Sequence, residues 1–169
     1  GSALDTSGNG GSNTVIGNQA MQLGKGGANV VIGNGAMAAA GTRDSNIVIG
    51  ETAGAALTDG PGNVLIGHQA GNDMSTSDYN IALGYQALDV LTTNSHNNIA
   101  IGAHAMGTQA IDQSGGSVGA NCIAIGTSAL GTQNHADAIN LAIGYQAGDA
   151  ITTGTKNVLV GHEAGGAIA

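Results

Sequence analysis

The sequence predicts an all-β fold in which nine short coils stack as a parallel β-roll, a form of β-solenoid. The first observation is a repeat of about 17 residues that occupies residues 13–169. The second is the alternation of apolar residues within each copy, which is typical of a β-strand. The third is composition: 31 Gly, no Phe and no Trp among 169 residues leave few of the large side chains that usually fill a globular core.

Each copy of the repeat is anchored by a glycine. The steps between successive anchors are 16, 17, 17, 17, 18, 24, 18 and 17 residues. An alanine follows every anchor by three residues, and an asparagine precedes eight of the nine anchors by four. Cys122 takes the asparagine position in the remaining copy. The anchors are Gly17, Gly33, Gly50, Gly67, Gly84, Gly102, Gly126, Gly144 and Gly161. Regularity at a fixed period indicates an array of stacked structural units.

The three residues before each anchor form the predicted strand. Its first and third positions carry large aliphatic residues, such as Ile81 and Leu83, and we expect both to point into the coil. The middle residue is also apolar, so the strand is predicted to be buried on both faces, as in parallel sheets. The anchor glycine marks a tight bend. A second, shorter strand is expected after the alanine, with its apolar stretch ending on Leu57, Met74, Leu91, Ile151 or Ile168.

Stacking in register would place the repeated asparagines on top of one another. We therefore predict that these side chains, Asn63, Asn80 and Asn98 among them, form a hydrogen-bonded amide ladder. The repeat domain is assigned to residues 13–169, with a longer loop at 107–120 where the step grows to 24. Residues 1–12 are assigned as a lead-in, and Gly1-Ser2 has the form of a cloning remnant.

Charge and cysteine content exclude several classes of partner. The 11 Asp and Glu outnumber the 3 Lys and Arg, so the chain is not expected to bind nucleic acid. No apolar run is long enough for membrane insertion, and one cysteine cannot form a disulfide within the chain. The five histidines show no HxH or HxxxH spacing. No cofactor or metal site within one chain is therefore expected, although three chains could bring histidines together on an axis.

The middle position of each strand is the predicted contact with other chains. If the outer two positions fill the coil, the middle residues would form a continuous exposed apolar patch, which usually marks an interface. Packing against symmetry-related copies would bury that patch, and the small alanines of the middle copies would let chains approach closely. The predicted interface residues are Val31, Val48, Leu65, Ala82, Ala100, Ala124 and Ala142.

The strand Asn98-Ile-Ala-Ile-Gly102, followed by Ala105, resembles the left-handed parallel β-roll of YadA-type trimeric autotransporter heads. The segments "ALGYQALDVLTTNSHNN" (82–98) and "AIGYQAGDAITTGTKN" (142–157) are similar to repeats of phage tail fibres and of tail-fibre-like trimeric adhesins. The resemblance extends over residues 13–169. It implies an extracellular homotrimer and a non-enzymatic role, as a shaft or head segment of a virion tail fibre that positions or contributes to attachment. The implied partner is a receptor, such as a glycan, on a host or prey surface. A bacterial cell-surface adhesin head is the alternative.

Particular residues also suggest other functions. "IGNQAM", "IGNGAM" and "IGAHAM" fit the hexapeptide repeat of left-handed β-helix acyltransferases, with His104 or His135 as the candidate base, but only one hexad occurs per 17 residues.

Candidate receptor contacts are Tyr85, Tyr145 and Asp112, the last within the long loop. A polar ladder is formed by the pairs Thr58/Asp59, Ser75/Thr76, Thr92/Thr93 and Thr152/Thr153. These residues could bind ice or glycan, or they could be solvated turn residues without a ligand.

Overall fold

A computed structural model describes residues 11–39, 41–89, 95–107, 120–132, 139–151 and 154–166. Within those ranges the chain is all-β and contains no helix. The strands are β1 (Thr14–Ile16), β2 (Gly24–Lys25), β3 (Val30–Ile32), β4 (Gly41–Thr42), β5 (Ile47–Ile49), β6 (Val64–Ile66), β7 (Ile81–Leu83), β8 (Ile99–Ile101), β9 (Ile123–Ile125), β10 (Leu141–Ile143) and β11 (Val158–Val160).

Nine of these strands form one parallel sheet in the order β1-β3-β5-β6-β7-β8-β9-β10-β11. Each copy of the repeat contributes one strand, and neighbouring strands pair position for position: Ile81 lies beside Val64 on one side and Ile99 on the other. The predicted all-β, parallel β-solenoid is therefore confirmed.

The predicted second strand forms in only part of the array. β2 pairs with β4, and Thr42 bridges to Asp59, but in the other described copies the segment after the alanine is a series of turns. In every copy φ is positive two and four residues after the anchor, as at Gln86 and Leu88, so no strand begins at the alanine. β2 and β4 begin only seven and eight residues past their anchors, beyond these turns. A left-handed residue cannot continue a β-strand, so a second strand in every copy was a wrong prediction.

The two faces of the nine-stranded sheet are the reverse of those predicted. The middle residue of each strand points into the coil, and the first and third point outward. Seven middle residues are fully buried within a single chain: Val31, Val48, Leu65, Ala82, Ala100, Ala124 and Ala142. Their assignment to a contact between chains was therefore wrong. The ladder asparagine lies two residues before the middle residue and so shares its face; because the amides are held inside, the middle residue must also be inside.

Three of the four alanines of the middle strands are explained by packing against a large residue inside their own coil rather than by close approach of chains. At the fourth, Ala142, the position four residues after the anchor is Gly148, beside Leu130 and Leu159 of the neighbouring coils. Where Leu65 is the middle residue, Gly71 stands four residues after the anchor, and a Cβ there would lie 2.9 Å from Leu65 Cδ2. Where the middle residues are Ala82, Ala100 and Ala124, the same position after the anchor carries a buried large residue, in turn Leu88, Met106 and Leu130. Each of these coils therefore has interior room for one large side chain, either at the middle of the strand or four residues after the anchor.

The anchor glycines form the predicted tight bend. Their φ angles lie between 130° and 142°, a region that side-chain-bearing residues rarely adopt. At the first eight anchors, an added Cβ would lie 2.2–2.7 Å from the carbonyl oxygen of the next anchor. Both backbone conformation and close stacking therefore require glycine.

The amide ladder is also confirmed. Where one ladder asparagine follows another, its backbone N–H and its side-chain Nδ2 donate to Oδ1 of the asparagine one coil earlier. These distances are 2.8 and 3.2 Å from Asn63 to Asn46, 2.9 and 3.2 Å from Asn80 to Asn63, and 2.9 and 3.1 Å from Asn98 to Asn80. At Cys122 only the backbone N–H follows the pattern, donating to Asn98 Oδ1 at 2.9 Å. The ladder stabilises the stack because each amide is buried and hydrogen-bonded.

Candidate assembly surface

The outside of the nine-stranded sheet carries two rows of aliphatic side chains, here called the aliphatic face. The first row is formed by the first residue of each strand, Val30, Ile47, Val64, Ile81, Ile99, Ile123, Leu141 and Val158, with Thr14 at its start. The second row is formed by the third residue, Ile16, Ile32, Ile49, Ile66, Leu83, Ile101, Ile125, Ile143 and Val160. No position in either row is charged.

The aliphatic face is only partly covered by the chain's own atoms. Ile47 is 39% exposed and Val158 is 71% exposed. Nine strands at a spacing of about 4.8 Å make the face roughly 40 Å long, and two outward rows with their side chains make it roughly 10 Å wide. A contiguous apolar area on the order of 400 Å² is about the size of the largest apolar patch on a typical soluble protein, which is often functional.

A line of residues five positions before each anchor borders the face on one side, and we call it the first edge. Its φ angles are positive, for example 57° at Tyr79 and 41° at Ile139. Both side chains are exposed, Tyr79 by 58% and Ile139 by 48%. The Tyr79 ring lies over Gly62, where an added Cβ would come 2.7 Å from Tyr79 Cδ1. Sequence reasoning missed these two residues, because they lie in the turn before each strand, where the alternation of strand side chains does not apply.

The residues immediately after the anchors border the face on the other side and form the second edge. His68 and Tyr85 stack there with ring centroids 5.4 Å apart and planes within 6°. Tyr145 and His162 stack at 5.1 Å and 24°. His104, the next residue along the chain from the edge position of its copy, contacts Tyr85 edge-on at 5.2 Å. Rings one coil apart therefore support one another along the rod, as aromatic pairs prefer.

Tyr85 and Tyr145, two of the candidate receptor contacts, lie on this second edge and are each 48% exposed. The third candidate, Asp112, lies outside the described residues, as does the long loop apart from Gly107 and Ala120. The structure therefore places the two tyrosines beside the aliphatic face.

Four of the five histidines lie in the described ranges, at separate places along the array. In the described ranges no group of three His, Cys, Asp or Glu side chains is placed to hold a metal ion. His96 Nδ1 contacts Asp78 Oδ1, and His68 Nε2 lies 3.9 Å from Glu51 Oε2. His104 packs against Tyr85 as described, and His135, the other candidate base of an acyltransferase, lies outside the described residues.

The proposed polar ladder is only partly described. Thr58 Oγ1 donates a hydrogen bond to the backbone carbonyl of Ser75 at 3.0 Å, which ties one coil to the next. Asp59 and Thr76 are exposed. The pairs at 92–93 and 152–153 lie outside the described residues. The Thr58 hydroxyl proton is thus used within the protein, as expected for a solvated turn rather than a hydroxyl array aimed at a ligand.

One charged side chain is buried inside the coil. The Arg43 guanidinium donates to the carbonyl oxygens of Met37 at 3.1 Å and Ala39 at 2.6 Å, and also to that of Leu57. Its Nε has no hydrogen-bond partner among the described atoms. Burial lowers the pKa of Arg43 to about 10. Because it is enclosed by its own backbone, Arg43 is part of the core rather than of a surface site.

Among the described residues, no helix has the length and apolar character needed to cross a membrane. Comparison with protein-family models, with curated proteins and with solved structures finds no match.

Proposed function

We propose that this chain is a structural segment of a homotrimeric fibre, in which three copies bury their aliphatic faces against one another around a common axis. The observation that carries the proposal is the uncharged, partly exposed aliphatic face along the full nine-stranded sheet. The largest apolar patch of a soluble protein is often a functional surface, and symmetric self-association is a direct way to cover this one. The number three is taken from the sequence resemblance.

The role proposed for the fibre is mechanical. Every described coil is joined to its neighbours by parallel strand pairing, and the buried amide ladder adds further hydrogen bonds over most of its length. Three such rods packed along an axis would resist bending more than one. We therefore propose a shaft or head segment that holds a recognition element away from its base. The tail fibre of a virion is the first proposal, and a bacterial surface adhesin head would use the same architecture.

The test compares lysine at an outward position with lysine at positions elsewhere. Ile81→Lys places a charge in the aliphatic face and is expected to give a folded species near 16.2 kDa in light scattering. Thr76→Lys, at an exposed link residue, is expected to remain near three times that mass. Ala100→Lys buries a charge inside the coil and is expected to abolish the β-sheet signal in circular dichroism.

The outcomes separate the possible errors. An Ile81→Lys variant that keeps the trimer mass would show that the aliphatic face is not the contact. A folded Ala100→Lys variant that is only dissociated would restore the original assignment of the middle residues to the interface.

A further inference from the structure

We propose that the two edges of the sheet form an aromatic seam between chains, in which Tyr79 of one chain packs against the stacked His68 and Tyr85 of its neighbour. Ile139 of one chain would pack in the same way against Tyr145 of its neighbour. The inference rests on the proposed function, because it requires a parallel assembly of identical chains. It goes beyond that function by naming the residues of the neighbouring chain that Tyr79 and Ile139 contact.

Symmetry brings the two edges together. When identical rods surround an axis parallel to their length, equivalent residues lie at the same height. Each chain then turns its aliphatic face toward the axis, so its first edge meets the second edge of the next chain. A residue five positions before an anchor would therefore face the residue just after the same anchor in the neighbouring chain.

The bulky residues are distributed as this arrangement requires. In the copy anchored at Gly84, the first edge carries Tyr79 and the second edge carries Tyr85. In the copy anchored at Gly144, the corresponding residues are Ile139 and Tyr145. The two intervening copies carry small or polar residues at both edges, Asn97 with Ala103 and Asn121 with Thr127. In these four copies large residues thus face large residues, and small or polar residues face each other. In the copy anchored at Gly67, Gly62 faces His68, and the Tyr79 ring covers Gly62.

The orientation of the rings also fits a contact between chains. His68 covers one face of Tyr85, and His104 approaches the ring edge-on. The free part of Tyr85 therefore suits an edge-to-face contact better than the open stacking platform that a planar ligand would use. Tyr79 lies over Gly62, one coil toward the N-terminus, and His68 occupies the second edge of that same coil. Tyr79 is therefore placed to meet both rings of the stack.

The area available supports including the edges in the interface. The two aliphatic rows alone offer roughly 400 Å² per chain, shared between two neighbours. Six residue steps of at most about 3.3 Å separate the two edges, so including them widens the buried strip to no more than about 20 Å and its area to no more than about 800 Å² per chain. Divided between two neighbours, this is about 400 Å² per partner at each contact, twice what the rows alone provide and about half of what one partner contributes to a standard stable interface.

The experiment is disulfide cross-linking of the double variant Tyr79→Cys/Tyr85→Cys. The strand Ile81–Leu83 lies between these two positions and alone separates Asn80 from Gly84 by about 13 Å, whereas disulfides need Cα atoms within about 7 Å. Any bond formed between them must therefore join two chains. After oxidation with diamide, non-reducing electrophoresis is expected to show most of the protein as a covalent trimer. Ile139→Cys/Tyr145→Cys is expected to behave in the same way. The native Cys122 is fully buried and can be kept.

The matched control is Tyr79→Cys/Thr127→Cys, which pairs edges two coils apart. The offset of about 10 Å prevents a disulfide, so this variant is expected to stay uncross-linked. A trimer by light scattering in which neither matched pair cross-links would overturn the seam and leave the proposed fibre standing. Cross-linking of the offset pair in place of the matched pairs would also overturn it. A monomer by light scattering would overturn both proposals.

Discussion

Replacing Cys122 with asparagine should strengthen the stack, because Cys122 interrupts the amide ladder. At intact positions, the asparagine amide donates both to Oδ1 of the previous asparagine and to the carbonyl two residues earlier, as Asn80 does to Asn63 at 3.2 Å and to Asp78 at 3.1 Å. Cys122 offers only a thiol, 3.9 Å from the carbonyl oxygen of Ala120. In the next coil, the Asn140 N–H must donate to sulfur at 3.4 Å.

The expected gain follows from these contacts. An asparagine at 122 can donate to Asn98 Oδ1 and to the Ala120 carbonyl, and can accept from the Asn140 backbone and side chain. Two or three additional buried hydrogen bonds at about 1 kcal/mol each, less about 1 kcal/mol for the lost burial of the thiol, leave a net stabilisation of about 1–2 kcal/mol. For a chain of this length that corresponds to a rise in melting temperature of about 2–8 °C.

The assay is thermal unfolding followed by circular dichroism at one fixed protein concentration, since the stability of an oligomer depends on concentration. Cys122→Ala is the matched control, because it removes the thiol without adding a ladder amide, and it is expected to melt below the wild type. A Cys122→Asn protein that melts no higher than Cys122→Ala would refute the view that the ladder stabilises the rod.

Two further predictions concern the core and one carboxylate. Ala82→Leu places a second large side chain in the coil that already holds Leu88, so the free energy of unfolding is expected to fall by about 1–3 kcal/mol. In a double-mutant cycle, adding Leu88→Gly should restore part of that loss. Additive effects of the two substitutions would contradict the shared interior space. Burial, and then the nearby Asp73, raise the pKa of Asp89. The native state therefore binds that proton more tightly than the unfolded state, and stability falls as pH rises through the raised pKa. Asp89→Asn should accordingly melt roughly 1–2 °C above the wild type at pH 7, and this difference in melting temperature should shrink toward pH 4. A difference that is the same at pH 4 as at pH 7 would contradict the prediction.

Much of the fold could be predicted because the repeat places the same constraint in each copy. A glycine every 17 residues or so, with asparagine four residues before it, fixed the coil length, the register and the ladder. The anchor glycines are required by both positive φ and close stacking, so their spacing gives a direct record of the coils.

Which side chains of each strand point into the coil could not be predicted from hydrophobicity, because the middle and outer positions are all apolar. Ile81, Ala82 and Leu83 give no contrast between faces. The decisive signal was Asn80, whose polar side chain is buried in the ladder and shares a face with Ala82. The second strand failed for another reason: Gln86 and Leu88 adopt left-handed conformations that their residue types do not indicate, so the coil geometry overrides local propensity.

The candidate contact residues were found only in part. Tyr85 and Tyr145 stood out because they follow anchor glycines, whereas Tyr79 and Ile139 lie in the link between coils. Their place at the border of the aliphatic face depends on the turn that precedes each strand, and the sequence pattern alone does not give the conformation of that turn.

The most direct test of the central claim is the mass of the unmodified protein in solution, measured by sedimentation equilibrium over a range of concentrations. If the outward aliphatic rows are covered by sister chains, the mass should be near three times 16.2 kDa and stay constant on dilution through the micromolar range. A well-folded species of 16.2 kDa, stable with those rows in contact with water, would contradict the account.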